Sequence, residues 1–162
     1  MYIKKAWIAI IAVVIITPLV AFTKVHLDNE AKKNEARKAE VKSHILKSYV
    51  HGAFNELNPE AMEKGFHKDF AIFSMGKEGK LRRYEIADWI KGAKKRKTSA
   101  GFDPAKNKWE SKFPMIDVVG NTAAVKLELY RKGKHVYTDF LSLYKYPEGW
   151  KIVAKVYHKH KK

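Results

Sequence analysis

The strongest constraint on the fold lies in the last third of the chain. Four long stretches, Lys108 to Val119, Asn121 to Arg131, His135 to Tyr146 and Trp150 to His158, read as strands. The turns Lys132-Gly133-Lys134 and Pro147-Glu148-Gly149 join the last three. Strands this closely spaced pair with their neighbours antiparallel, because a parallel pair needs a crossover of a dozen or more residues. Pro114 has no N–H for a ladder, so it marks an edge or a bulge in the first of the four.

The segments before them are mostly helical. Asp28 to Leu57 lacks Gly and Pro apart from Gly52 and reads as one long helix. Residues 23–40 are charged on all sides, which makes a solvated lead-in. From Val41 the character changes: Ile45, Leu46, Tyr49, Val50, Ala53, Phe54 and Leu57 form a wide apolar stripe that must face something. Asn58-Pro59-Glu60 restarts a short helix, with a cap, a proline at the first position and an acid for the dipole. It ends near Lys64-Gly65. Asp69 to Met75 then reads as a strand, Gly76 to Gly79 as a turn, Tyr84 to Lys97 as a helix and Thr98 to Asn107 as a loop. Two or three helices followed by long strands predict an α+β fold, with helices on one face of a curved antiparallel sheet over residues 41–162.

The N-terminus carries a different message. Lys4 and Lys5 precede an uncharged apolar run from Ala6 to Phe22, the layout of a signal peptide or an N-terminal membrane anchor in residues 1–22. Thr17-Pro18 breaks a helix near its end, while Leu19 before Ala21 makes a poor small-x-small cleavage site. The expectation is an exported protein, periplasmic or secreted, or tethered by residues 1–22, with cleavage slightly favoured over retention.

Charge and composition narrow the partners. The 33 Lys and Arg against 17 Asp and Glu give +16, and loss of residues 1–22 removes only Lys4 and Lys5, leaving +14. Such an exported domain is drawn to anionic surfaces, whether lipid headgroups, polyanionic glycans or stray nucleic acid, and nucleic acid is the unfavoured one as a partner. Lys91, Lys94, Lys95, Arg96 and Lys97 concentrate that charge at one helix end. Cysteine is absent, which excludes disulfides, thiol catalysis, Cys-bound metals and a lipidated cysteine anchor. No phosphate-binding glycine loop, serine elbow or paired-acid signature is present. His158-x-His160 lacks a third metal ligand, and His44 and His51 read as solvated residues on a polar helix flank. No cofactor is expected.

The order helix, short helix, strand, helix and four long strands resembles the nuclear transport factor 2-like superfamily. Three stretches carry the resemblance: Ala61 to Phe70, Tyr137 to Lys145 and Gly149 to His158. Together they are similar to the bacterial putative lumazine-binding subgroup, over roughly Val41 to His158. The resemblance implies a cone-shaped fold with an apolar pocket and frequent homodimers, and no single reaction.

Five residues are candidates for the ligand pocket: Tyr49, Phe73, Trp89, Asp139 and His158. Simple alternation puts Trp150, Ile152, Ala154, Val156 and His158 on one face of the last strand, opposite Lys151, Val153, Lys155 and Tyr157. On its neighbour Asp139 shares a face with Leu141 and Leu143, but the other face, with Val136, Thr138, Phe140 and Ser142, is also semi-apolar and leaves the orientation open. A three-residue Pro-Glu-Gly loop sets Thr138 opposite His158, whereas a two-residue Glu-Gly loop sets Asp139 there. Trp89 and Phe73 are core or pocket aromatics. In related ketosteroid isomerases a tyrosine at the place of Tyr49 polarises the substrate carbonyl and a first-strand carboxylate is the base. Here that strand offers only Asp69, so no catalytic residue is assigned. The leading expectation is a domain that binds a small, mostly apolar molecule. A protein or membrane-surface interaction module and an isomerase or dehydratase are the alternatives.

Overall fold

The computed structural model describes residues 27–161, so the apolar run at 6–22 lies outside the described residues. Residues 27–37 are α-helical and largely exposed. A compact unit begins at Lys38 and holds all the elements that follow.

Helix α1 covers residues 38–55 and is wound as a π-helix over Leu46–Asn55. The i→i+5 winding brings residues five apart onto one face. The rings of Tyr49 and Phe54 accordingly lie 5.2 Å apart. The predicted stripe is the buried face: Ile45, Tyr49, Val50, Ala53 and Leu57 are all at most 3% exposed. Helix α2 (Pro59–Gly65) is capped as its sequence predicts, with Asn58 Oδ1 accepting from the Ala61 N–H at 3.2 Å. The two helices touch at Gly65, where a Cβ would stand 2.0 Å from Ser48 Cβ. His44 Nε2 donates to the Gly65 carbonyl at 2.9 Å. His44 is therefore a bonded, half-buried residue rather than a solvated one, and burial lowers its pKa below the usual histidine value.

Six strands follow with α3 (Ile86–Lys97) between the second and third: β1 (Phe66–Met75), β2 (Leu81–Glu85), β3 (Trp109–Val119), β4 (Thr122–Arg131), β5 (Lys134–Tyr146) and β6 (Gly149–Lys159). They form one sheet in the order β2-β1-β6-β5-β4-β3. All pairs are antiparallel except β1 with β6, so the sheet is mixed rather than wholly antiparallel. Residues 76–148 lie between β1 and β6, ample for the crossover that parallel pairing requires. Strand β2 lies just past the predicted Gly76–Gly79 turn and overlaps the predicted start of the helix at Tyr84. All five of its residues are exposed, so no apolar period marks it. Pro114 lies in edge strand β3, where the register shifts between Lys112 and Met115.

The inner face of the sheet supplies the core. Along β4, Ala123, Val125, Leu127 and Leu129 are buried in strict alternation. Leu141, Leu143, Trp150 and Ile152 extend that face, and Phe66, Phe70, Trp89 and Ile90 close it against the helices. The outer face is wetter, with Phe140 45%, Tyr144 50% and Val156 50% exposed.

Candidate functional site

A β-bulge decides what faces inward on β6. Leu143 pairs with Ile152 but Ser142 pairs with Ala154, leaving Val153 as the extra residue. One inserted residue exchanges the two faces of everything beyond it. Trp150 and Ile152 point into the core, and after the bulge Lys155 takes the inward place, 4% exposed. His158, expected on that line, is exposed. The hairpin turn is Pro147-Glu148, with Tyr146 opposite Gly149, and the bulge then sets Thr138 opposite His158. Asp139 instead faces Tyr157 and is wholly buried.

Three polar side chains meet in this core. The Tyr49 hydroxyl donates to Asp139 Oδ2 at 2.5 Å. Lys155 Nζ donates to the Tyr49 oxygen and lies 3.0 Å from Asp139 Oδ1 as an ion pair. The second contact is charge without alignment, since Oδ1 has no hydrogen-bond donor among the described residues. Aromatic rings surround the ammonium: Tyr49, Phe54, Trp89, Tyr137 and Tyr157 have centroids 5.0–5.9 Å from Nζ. Ring faces are electronegative, so they stabilise a desolvated cation at these distances. Burial still pulls the Lys155 pKa below the usual lysine value, opposed by the Asp139 carboxylate. Burial, followed by the nearby Asp139 charge, pushes the Tyr49 hydroxyl well above its ordinary value, so it stays a neutral donor.

Lys155 stands at the floor of a cavity of about 1580 Å³ that opens to solvent. Ala53, Phe54, Ile72, Trp89, Trp109 and Tyr137 form much of its apolar wall. The Trp109 and Tyr137 rings stack at 5.9 Å, and Asn55 Oδ1 accepts from the Trp109 backbone N–H at 2.7 Å. Of the five residues proposed from sequence, Trp89 lines this cavity directly, while Tyr49 and Asp139 sit beneath it and hold Lys155. Phe73 does not line it, because Ile72 and Ser74 take the inward positions on β1 and Phe73 pairs with Val156 on the outer side. His158 is also absent from the wall, and its ring lies 4.8 Å from that of His160. Asp69 is exposed beside His67 and Lys68. Lys155 was the residue that alternation missed, having been set on the outer face. A lysine amid the aromatics of a core hairpin was the available signal.

His135 joins His160 at the cavity rim with ring centroids 3.8 Å apart, and Thr138 Oγ1 bonds both. Among the described residues no group of His, Cys, Asp or Glu is placed to hold a metal ion.

The family model described as "Putative lumazine-binding" matches residues 36–158, which include Tyr49, Trp89, Asp139 and Lys155. The chain belongs to that family. Solved relatives share its fold. A nuclear transport factor 2-like protein of unknown function from Shewanella baltica OS155 is 23% identical, with a TM-score of 0.60 over 79% of this chain and 96% of the other. One from Silicibacter pomeroyi DSS-3 is 21% identical, with a TM-score of 0.60 over 78% and 98%. One from Methylobacillus flagellatus KT is 30% identical, with a TM-score of 0.54 over 74% and 89%. No curated protein matches the chain.

Proposed function

We propose that this domain binds a small molecule with a largely apolar body, held in the aromatic cavity above Lys155. The observation that carries the reading is the placement of a buried lysine at the floor of an aromatic-walled space. A buried ion pair is poor evidence for stability, since each ion loses several kcal/mol of hydration and apolar side chains fill such a site as well. A Lys155–Asp139 pair at a cavity floor has a role if its remaining N–H capacity meets an acceptor on a ligand. Pockets that bind small molecules combine this apolar wall with a few fixed polar groups. The family description points the same way.

The geometry supports binding over isomerase chemistry. The Tyr49 hydroxyl donates its hydrogen bond to Asp139, so it is not turned to polarise a substrate carbonyl. Asp69, the carboxylate of the first strand, is exposed outside the cavity wall. The test is a titration of aromatic and acyl probes into the full chain while following the emission of Trp89 and Trp109. Saturable changes with micromolar midpoints support the reading, and an unresponsive spectrum across the panel contradicts it.

Export is part of the proposal and rests on the apolar run at 6–22. Among the described residues no helix is long and apolar enough to cross a membrane. Contact with an anionic membrane surface is proposed from the exposed lysines of α3.

A further inference from the structure

We infer that the ligand is an amphipathic anion whose apolar body lies on the aromatic floor and whose anionic group sits at the cavity rim. This deepens the small-molecule reading and rests on it.

The charges around the cavity divide into two zones. At the floor, the Lys155 ammonium is offset by the Asp139 carboxylate 3.0 Å away, and Tyr49 is held neutral by burial. The floor is therefore close to neutral and walled by rings, a place for apolar surface rather than for a formal charge. The rim is different. Arg82, Arg96, Arg131, Lys132, Lys134 and Lys159 all line it, and none has a carboxylate partner among the described residues. Two further cations there are already matched, Arg83 with Glu85 at 3.3 Å and Lys106 with Asp103 at 3.3 Å. Asp103 is the one carboxylate in the wall, so pairing removes the negative charge and leaves the positive excess.

Arg131 shows how such a charge is positioned. Its guanidinium lies over the Trp109 ring at 5.4 Å and donates to Asn107 Oδ1 at 3.0 Å. Asn107 is itself tied back to α1, donating to the Phe54 carbonyl at 2.5 Å. A guanidinium fixed in this way has lost side-chain freedom before a ligand arrives, which lowers the cost of binding an anion. A concave surface lined by one sign of charge also concentrates oppositely charged solutes at its mouth. A carboxylate, sulfonate or phosphate carried on a planar or acyl body matches both zones. A neutral molecule matches only the floor, and a bare inorganic anion only the rim.

The test uses two probes with the same ring system, 8-anilinonaphthalene-1-sulfonate and its uncharged counterpart N-phenyl-1-naphthylamine, titrated by fluorescence into the full chain. The sulfonate is expected to bind at least about tenfold more tightly at low salt, as two or three partly screened ion pairs would give. That advantage should shrink as salt rises, and R131E should weaken the sulfonate far more than the neutral probe. R96E, in the last turn of α3, should act in the same direction and guards against a folding defect specific to Arg131. Equal affinity for the two probes, or variants that weaken both alike, would overturn the anionic assignment and leave an apolar pocket. Failure of both probes to bind would overturn the assignment together with the small-molecule reading beneath it. Inorganic phosphate that displaces the sulfonate at equal concentration would place recognition in the rim alone and overturn the role of the floor.

Discussion

Lys155 Nζ lies 3.0 Å from Asp139 Oδ1, with the two side chains 5% and 0% exposed. Neither charge is solvated, so each depends on the other. Asp139→Asn keeps the shape and removes the counterion, and it should destabilise the fold by about 3 kcal/mol, near the range for breaking a buried pair. Replacing both, Asp139→Leu with Lys155→Met, removes the desolvation cost on each side and should recover part of that loss, the rest being the cost of the Tyr49 hydroxyl left without these partners. Urea denaturation of the single and double variants checks this. A single-variant loss under about 0.5 kcal/mol would mean that the pair is hydrated in solution.

The contact between α1 and α2 leaves no room for a methyl group at Gly65. A Cβ there would meet Ser48 Cβ at 2.0 Å and Oγ at 2.1 Å. Gly65→Ala should therefore cost about 1–3 kcal/mol by overpacking, despite the better helix propensity of alanine. Adding Ser48→Gly should restore part of it. A thermal melt of Gly65→Ala that matches the wild type would show that the helices separate without penalty.

The alkaline limb of stability should belong to Tyr49. Its folded pKa is raised by burial first and by Asp139 second. Above about pH 10 the unfolded chain releases this proton while the folded chain retains it. Folding then takes up a proton, so stability falls as pH rises through that range. Lys155 acts with the opposite sign. Its folded pKa is lowered, so the unfolded chain binds more protons below about pH 10.4, and stability rises with pH up to that point. Above about pH 10.4 the Lys155 contribution no longer changes, so the loss from Tyr49 is what remains. Tyr49→Phe should flatten that loss in pH-dependent denaturation curves. An unchanged alkaline slope in the variant would assign it to another group.

Much of the architecture was legible because its determinants are local. The alternation along β4, the stripe on α1, the Asn58 cap and Pro114 at an irregular edge all act through neighbours in sequence. Three features were not. The parallel pairing of β1 with β6 is a long-range event, β2 has no buried residue to give it a period, and the bulge at Val153 leaves no mark in the pattern of residues. The bulge mattered most for the site. It moved His158 out and Lys155 in, while Tyr49 and Trp89 kept the inward places that their apolar neighbours implied, and Asp139, whose strand has apolar residues on both faces, took the inward one.

The charge at the end of α3 leads to a separate expectation. Lys94, Lys95, Arg96 and Lys97 are exposed, and the whole chain carries +16. Binding to vesicles containing anionic lipid should be measurable at low salt and weaken strongly at high salt, because exposed charges are screened. Fractionation of the source cells should recover the protein outside the cytoplasm. Salt-independent adhesion would point away from charge, and an unprocessed soluble cytosolic form would contradict export.

Native mass spectrometry of the protein purified from its own host tests the small-molecule reading most directly. The account predicts a noncovalent adduct of small-molecule mass on a large fraction of the protein. Ser74→Trp, which adds bulk at the cavity wall, should lose that adduct while melting normally. A bare polypeptide mass in the wild type, together with aromatic and acyl probes that leave Trp89 and Trp109 emission unchanged, would contradict it.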